Sequence, residues 1–257
     1  MINLTTGGLG SSIGKALRAQ GARLAILYAP FEADRRDELF KAGYHDAPAS
    51  TPDDIRTYQC DITSPSSVQA AFTSLTAEMA SPDLAPERRA FPSMLINTAG
   101  YVSLSDMHVT PPEETLKHLT TNVYGPMLCA QAFANLYFDA SRSNPDQIPG
   151  RIVNLASKAA HVALHQHGAY CASKAAVLGL TRSMASEWGP MGITANSVSP
   201  TVAWTELGKK AWGGEGLKES LLSKIPTGKA ALPEDVAEAV VFLCRVCLSL
   251  VVMGLTL

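Results

Sequence analysis

Short runs rich in β-branched and apolar residues alternate with helical stretches along this chain of 257 residues, and that alternation constrains the fold more than any other feature. The strand-like runs lie at 2–6, 23–28, 55–60, 93–97, 151–155 and 193–198. Helical patterns occupy 12–20, 32–42, 66–80, 112–137 and 169–188. Strands separated by helices of this length require right-handed crossovers and a parallel sheet covered on both faces. The expected fold is therefore α/β: one Rossmann-like, doubly wound domain spanning residues 1–257. Gly189-Pro190 stops the fifth helix. Three polar, proline-containing stretches, 44–54, 81–92 and 139–150, each join a helix to the next strand, and read as surface excursions away from the ligand edge.

Composition narrows the partners. Apolar residues make up 46% of the chain, enough to build a core, which excludes disordered and low-complexity classes. Twenty-one basic residues stand against 23 acidic ones with no basic tract, so neither nucleic acid nor an anionic membrane is an expected partner. Residues 239–257 are almost wholly apolar, but Arg245 interrupts them, and they read as a buried helix running into a core strand rather than a span. Five scattered cysteines fit a reducing compartment. With no signal-peptide pattern after Met1, the expected location is cytoplasmic. Cys244 and Cys247 form a CxxC without a second half. His161, His165 and His167 have no cysteine or carboxylate partners at ligand spacing, so no metal is expected.

The turn between the first strand and the first helix reads Gly7-Gly8-Leu9-Gly10-Ser11-Ser12-Ile13-Gly14. Glycines such as Gly8, Gly10 and Gly14 permit a tight turn and let backbone N–H groups approach a pyrophosphate at a helix N-terminus. Ser12 and Ile13 complete the stretch, Ser12 standing where a further glycine would fit. An acidic residue about 20 positions on would bind the ribose 2′-hydroxyl of NAD. The chain has Tyr28-Ala29-Pro30 there, which favours NADP(H) over NAD(H). Arg35 and Arg36, slightly beyond, are either partners for a 2′-phosphate or solvated helix charges.

Tyr170 and Lys174 open the helix after the fifth strand, four apart and hence on one face. A lysine charge beside a phenol lowers the phenol pKa from about 10 toward neutrality. That makes Tyr170 a candidate general acid–base. Ser157, thirteen positions upstream at the carboxyl end of a strand, offers a hydroxyl to hold a substrate oxygen while Tyr170 exchanges a proton with it.

In this order and spacing the motifs resemble the short-chain dehydrogenase/reductase family over nearly the whole chain. The resemblance adds Asn122, in Thr121-Asn122-Val123, as the fourth catalytic member beside Ser157, Tyr170 and Lys174. It implies that Lys174 binds the nicotinamide ribose and lowers the Tyr170 pKa, and that Asn122 holds a water in a proton relay. Asn97-Thr98-Ala99-Gly100 is similar to the family's N-N-A-G turn, with Thr98 as a departure, and implies cofactor contacts from Asn97, Ala99 and Gly100. Asp61 matches the aspartate that meets the adenine amino group. Pro200, Val202 and Thr205 match the segment receiving the carboxamide. The stretch from Thr201 to Trp212 is similar to that of xylulose-reductase and polyol-dehydrogenase members. On that basis His167 is expected to bond a sugar hydroxyl, with Leu164, Trp204 and Trp212 as apolar wall. After Leu243 the tail departs from the family's last strand.

The implied activity is interconversion of a secondary alcohol and a ketone, a polyol/ketose pair first and a 3-oxoacyl thioester or other small ketone second. The rival from another class is a catalytically silent dinucleotide-binding or scaffold protein. Symmetric dimers or tetramers are usual in the family. Met127, Phe133, Leu136, Val177 and Met184 suggest a second apolar side on the two long helices, and so a homodimer or homotetramer.

Overall fold

The computed structural model describes residues 8–44, 55–79, 91–143, 148–205, 208–209, 214, 216–223 and 225–245. The first predicted strand, Trp212 and the tail after Arg245 lie outside the described residues, as does most of each predicted surface excursion except 139–150.

Five strands are described: β1 Leu24–Tyr28, β2 Ile55–Gln59, β3 Met94–Asn97, β4 Gly150–Leu155 and β5 Ile193–Val198. Every pairing is parallel, β1 with β2 and β3-β4-β5 in a second set. The helices are α1 Leu9–Ala19, α2 Arg36–Tyr44, α3 Pro65–Met79, α4 Pro112–Leu119, α5 Gly125–Ser143, α6 Gly168–Trp188, α7 Leu217–Leu222 and α8 Pro233–Cys244.

Alternating side chains send each strand into two cores, as the period of two demands. Ala25 and Leu27 of β1, Leu95 of β3 and Ile152 of β4 pack with Phe72 of α3, Phe133 of α5 and Met184 of α6. Leu24 and Ile26, Ile96, and Val153 point the other way, against Ile13 and Leu17 of α1 and Val236 and Val240 of α8. Both strand sets thus share both cores, and helices cover both faces. This is an α/β, Rossmann-like doubly wound arrangement. No helix among the described residues is long and apolar enough to cross a membrane.

Three boundaries differ from the sequence expectation. α1 starts at Leu9, inside the glycine turn. The segment expected as a helix over 32–42 begins as a 3₁₀ turn, Pro30–Arg35, before α2. The long helix expected over 112–137 divides into α4, a π-helical turn at Thr120–Tyr124, and α5, which runs on to Ser143 and takes up the first part of the excursion expected over 139–150. The cause is Pro126: it has no N–H to give the Asn122 carbonyl, and its ring would crowd that carbonyl in a regular helix. The Gly125 N–H reaches the Thr120 carbonyl instead. The second apolar side also needs correction, because Phe133, Val177 and Met184 are core residues. The exposed apolar groups of this region are Leu116, Leu119 and Tyr124.

Candidate active site

Because the strands are parallel, their carboxyl ends share one edge, where open α/β sheets bind ligands. A cavity of about 150 Å³ opens there, walled by segments from the α1 turn, the loop after β3, and the loops after β4 and β5.

Gly8 caps α1 with φ 57° and ψ −125°, a left-handed conformation that disfavours any side chain. A β-carbon there would meet Thr205 Cβ at 3.4 Å. The first turn of α1 holds no acidic residue, so its positive end is not neutralised from within. Gly10, Ile13 and Gly14 are buried on the sheet side. Ser12 donates its hydroxyl to Glu234 Oε1 at 3.5 Å, tying α1 to α8.

Ser157 follows β4, and its Oγ accepts the Ala159 N–H at 3.1 Å. Ser157 and Tyr170 both line the cavity. Burial raises the Tyr170 pKa above the ordinary phenol value, and a hydrogen bond with the Ser157 side chain opposes that shift. This reverses the direction expected from the sequence. Lys174 Nζ lies 5.8 Å from the centre of the Tyr170 ring and donates to the Leu155 carbonyl at 2.7 Å. Burial pushes the ammonium itself down to about 8. The ammonium expected from the sequence to act on the phenol therefore gives up its own proton more readily than a free lysine.

Asn122 sits in the π-helical turn, buried. Its Oδ1 accepts the Tyr101 N–H at 2.7 Å, and its Nδ2 donates to the Tyr101 carbonyl and to Ser173 Oγ, both at 2.9 Å. A β-carbon on Gly100 would lie 3.7 Å from Asn122 Oδ1 and 3.8 Å from Lys174 Nζ, so both groups close on one bare backbone position.

The remaining candidates divide. Leu164, His167, Pro200, Val202 and Thr205 line the cavity. His167 is buried, its Nδ1 2.7 Å from the His165 carbonyl, whereas His161 and His165 are exposed. Trp204 is not among the residues lining the cavity; its backbone N–H is given to the Ala231 carbonyl at 3.0 Å, while neighbouring Ala203 faces the cavity. Asn97 ends β3, but its Nδ2 donates to Asn154 Oδ1 at 2.8 Å, within a buried chain that continues to Thr181. Asp61 Oδ1 accepts both the N–H and the hydroxyl of Thr63. Ala99 and Gly100 lie in the loop after β3. Beyond β1, Arg35 pairs with Glu38 and Arg36 with Asp37, all at the surface. The sequence reading missed Glu32, whose Oε2 accepts the Ala29 N–H at 2.9 Å and so brings a carboxylate back to the end of β1.

Known proteins resemble the chain in sequence and in fold. The family model described as enoyl-(acyl carrier protein) reductase, one of the short-chain dehydrogenase/reductase models, matches residues 4–254. The chain belongs to the short-chain dehydrogenase/reductase family. A D-threitol dehydrogenase from Mycolicibacterium smegmatis is 36% identical over 245 residues, covering 94% of this chain and 85% of that protein. An NAD-dependent glycerol dehydrogenase from Listeria innocua is 40% identical over 158 residues, 62% of this chain and 59% of that protein. An L-xylulose reductase from Caenorhabditis elegans is 37% identical over 149 residues, 58% of this chain and 57% of that protein. Among solved structures, a short-chain type dehydrogenase/reductase from Mycobacterium marinum superposes with a TM-score of 0.83 at 28% identity, over all of this chain and 92% of that one.

In this short-chain dehydrogenase/reductase the cavity wall also includes Leu9, Val102, Ala156, Lys158, Thr201 and Gly208. Each stands within a motif already recognisable in sequence or one or two residues beyond it. Proximity to the carboxyl end of a strand is the signal that would have found them.

Proposed function

We propose that the protein is an NAD(P)(H)-dependent oxidoreductase that interconverts a polyol and a ketose, acting throughout as a single domain. The observation that carries this reading is that Ser157 and Tyr170 line one cavity, with Lys174 Nζ buried 5.8 Å behind the Tyr170 ring and, with Asn122, close to Gly100. The names of the threitol, glycerol and xylulose relatives support the substrate class.

The residues present fit a dinucleotide. Gly8 leaves backbone room at an α1 terminus without acidic side chains in its first turn. Thr201 Oγ1, in the cavity wall, is shielded from solvent without a hydrogen-bond partner, and such a hydroxyl would suit a carboxamide. Gly8, Gly10, Ser12, Ile13 and Gly14 would hold the pyrophosphate side, Asp61 the adenine, and Asn97, Ala99 and Gly100 the middle. Pro200, Thr201, Val202 and Thr205 would hold the nicotinamide end. When bound, the cofactor supplies or accepts the hydride. NADP(H) is the first choice and NAD(H) the second.

The chain's own residues handle the proton. Burial keeps the Tyr170 phenol protonated at neutral pH, ready to give its proton to a carbonyl oxygen during reduction and to recover it during oxidation. Ser157 orients that oxygen. Lys174, buried and close to Asn122, would hold the nicotinamide ribose, and with Asn122 it would return a proton toward Tyr170. His167 and Leu164 contact the rest of the substrate. The protein works as a cytoplasmic homodimer or homotetramer. A scan of polyols and ketoses with both cofactors, read by absorbance of the reduced nicotinamide, tests the proposal. Turnover of a polyol/ketose pair supports it, and cofactor binding without turnover of any alcohol or carbonyl would favour a silent dinucleotide-binding protein.

A further inference from the structure

α4 carries Glu114 and His118 four residues apart, and both grip the loop that follows β3. His118 is only 1% exposed. Its Nδ1 lies 2.7 Å from the Glu114 carbonyl, and its Nε2 accepts the Ser103 N–H at 3.1 Å. A carbonyl can only accept and a backbone N–H can only donate, so the ring is held as the neutral tautomer with its proton on Nδ1. Glu114 Oε2 accepts the hydroxyls of Tyr101 and Ser103, each at 2.7 Å. These two bonds hold the Glu114 carboxyl below the usual carboxylate range. From the other side, the Asn122 amide takes both the N–H and the carbonyl of Tyr101. Between the two gripped residues, Val102 faces the cavity. The His118 ring also stands edge-on to Tyr101 and Tyr170, with centroids 4.9 and 6.3 Å away.

We propose that Glu114 and His118 are positioning residues that clamp Tyr101–Ser103, and that they act on the reaction through Asn122 and the Val102 wall. The inference rests on the function proposed above. A three-residue loop without regular structure is costly to hold in one conformation. Here five hydrogen bonds from three residues of one continuous helical stretch supply the restraint. Helical spacing brings Glu114, His118 and Asn122 to the same side, four apart in succession.

The test uses the full chain with four substitutions. His118→Phe keeps a ring but loses both bonds, and His118→Gln restores an acceptor for Ser103. Glu114→Ala removes the grip, and Glu114→Gln keeps an oxygen that can accept both hydroxyls. Amide hydrogen exchange across 101–103 is followed together with kcat and KM on the polyol, in wild-type and Asn122→Ala backgrounds. The clamp predicts faster exchange in His118→Phe and Glu114→Ala, with kcat lower by roughly 10- to 100-fold and cofactor affinity unchanged. It predicts partial rescue by both glutamine variants. The kcat loss should largely vanish in the Asn122→Ala background, because residues acting through one group are not additive. Unchanged exchange overturns the clamp, and a kcat loss that persists undiminished without Asn122 overturns the positioning role. Should wild type turn over no polyol or ketose, the functional reading falls, while exchange still decides whether the clamp exists.

Discussion

Tyr170 and Lys174 lie four apart on α6, and burial moves both away from their ordinary titration ranges. Their pairing and the upstream Ser157 were legible in sequence because helical spacing and strand ends are local properties. The direction of the Tyr170 shift was not, since desolvation depends on what the rest of the chain packs around it. Lys174 carries a stability consequence. Its pKa falls from 10.5 in a free lysine to about 8 in the fold, so the unfolded chain binds more protons between those values. The site's contribution is therefore least favourable below about 8 and improves as pH rises toward 10.5. Lys174→Met should raise the Tm at pH 7 by roughly 2–4 °C for each kcal/mol relieved, with the gain shrinking as pH climbs past 8. Calorimetry across that range checks it, and a gain independent of pH would contradict it.

Two elements show where local reading stopped short. The π-helical turn at Thr120–Tyr124 follows from Gly125-Pro126, residues that the apolar periodicity passed over as continuous helix. Gly125 is also a contact point: a β-carbon there would come within 2.7 Å of Ile62 Cδ1 and 3.3 Å of Ile62 Cβ. Gly125→Ala should therefore cost about 1–3 kcal/mol in denaturant unfolding, with part recovered when Ile62→Ala is added. Full stability in the single variant would show that the contact gives way freely. The turn after β1 is the second case. Position 28 bears no carboxylate, yet Glu32 folds back to the Ala29 N–H from the next turn, a return visible only once the 3₁₀ segment is formed. A carboxylate there opposes a 2′-phosphate, so Glu32→Gln should raise the NADPH-to-NADH affinity ratio by about 3- to 10-fold at low salt. Fluorescence titration of both nucleotides measures the ratio, and no change would remove Glu32 from cofactor choice.

At the scale of the whole molecule, the parallel strands and their two helical covers were readable from the alternation of strand and helix patterns, because short continuous apolar runs mark buried parallel strands whereas amphipathic helices repeat every 3.6 residues. The apolar surface was harder to read. Phe133, Val177 and Met184 go to the core, and among the exposed apolar side chains Leu116, Leu119 and Tyr124 lie along α4 and the π-helical turn. A closed two-fold contact would pair that surface with its own copy. Light scattering after size exclusion at micromolar concentration should give at least a dimer, and Leu116→Glu with Leu119→Glu should shift it toward monomer. A fully active wild-type monomer would refute the assembly. The account as a whole stands on proton transfer by Tyr170 in a nicotinamide-dependent reaction. Its most direct test is steady-state oxidation of a polyol by wild type and Tyr170→Phe, with nucleotide binding measured in parallel. The prediction is a kcat loss on the order of 10²–10⁴ with cofactor affinity little changed; a phenylalanine variant that turns over at the wild-type rate would contradict it.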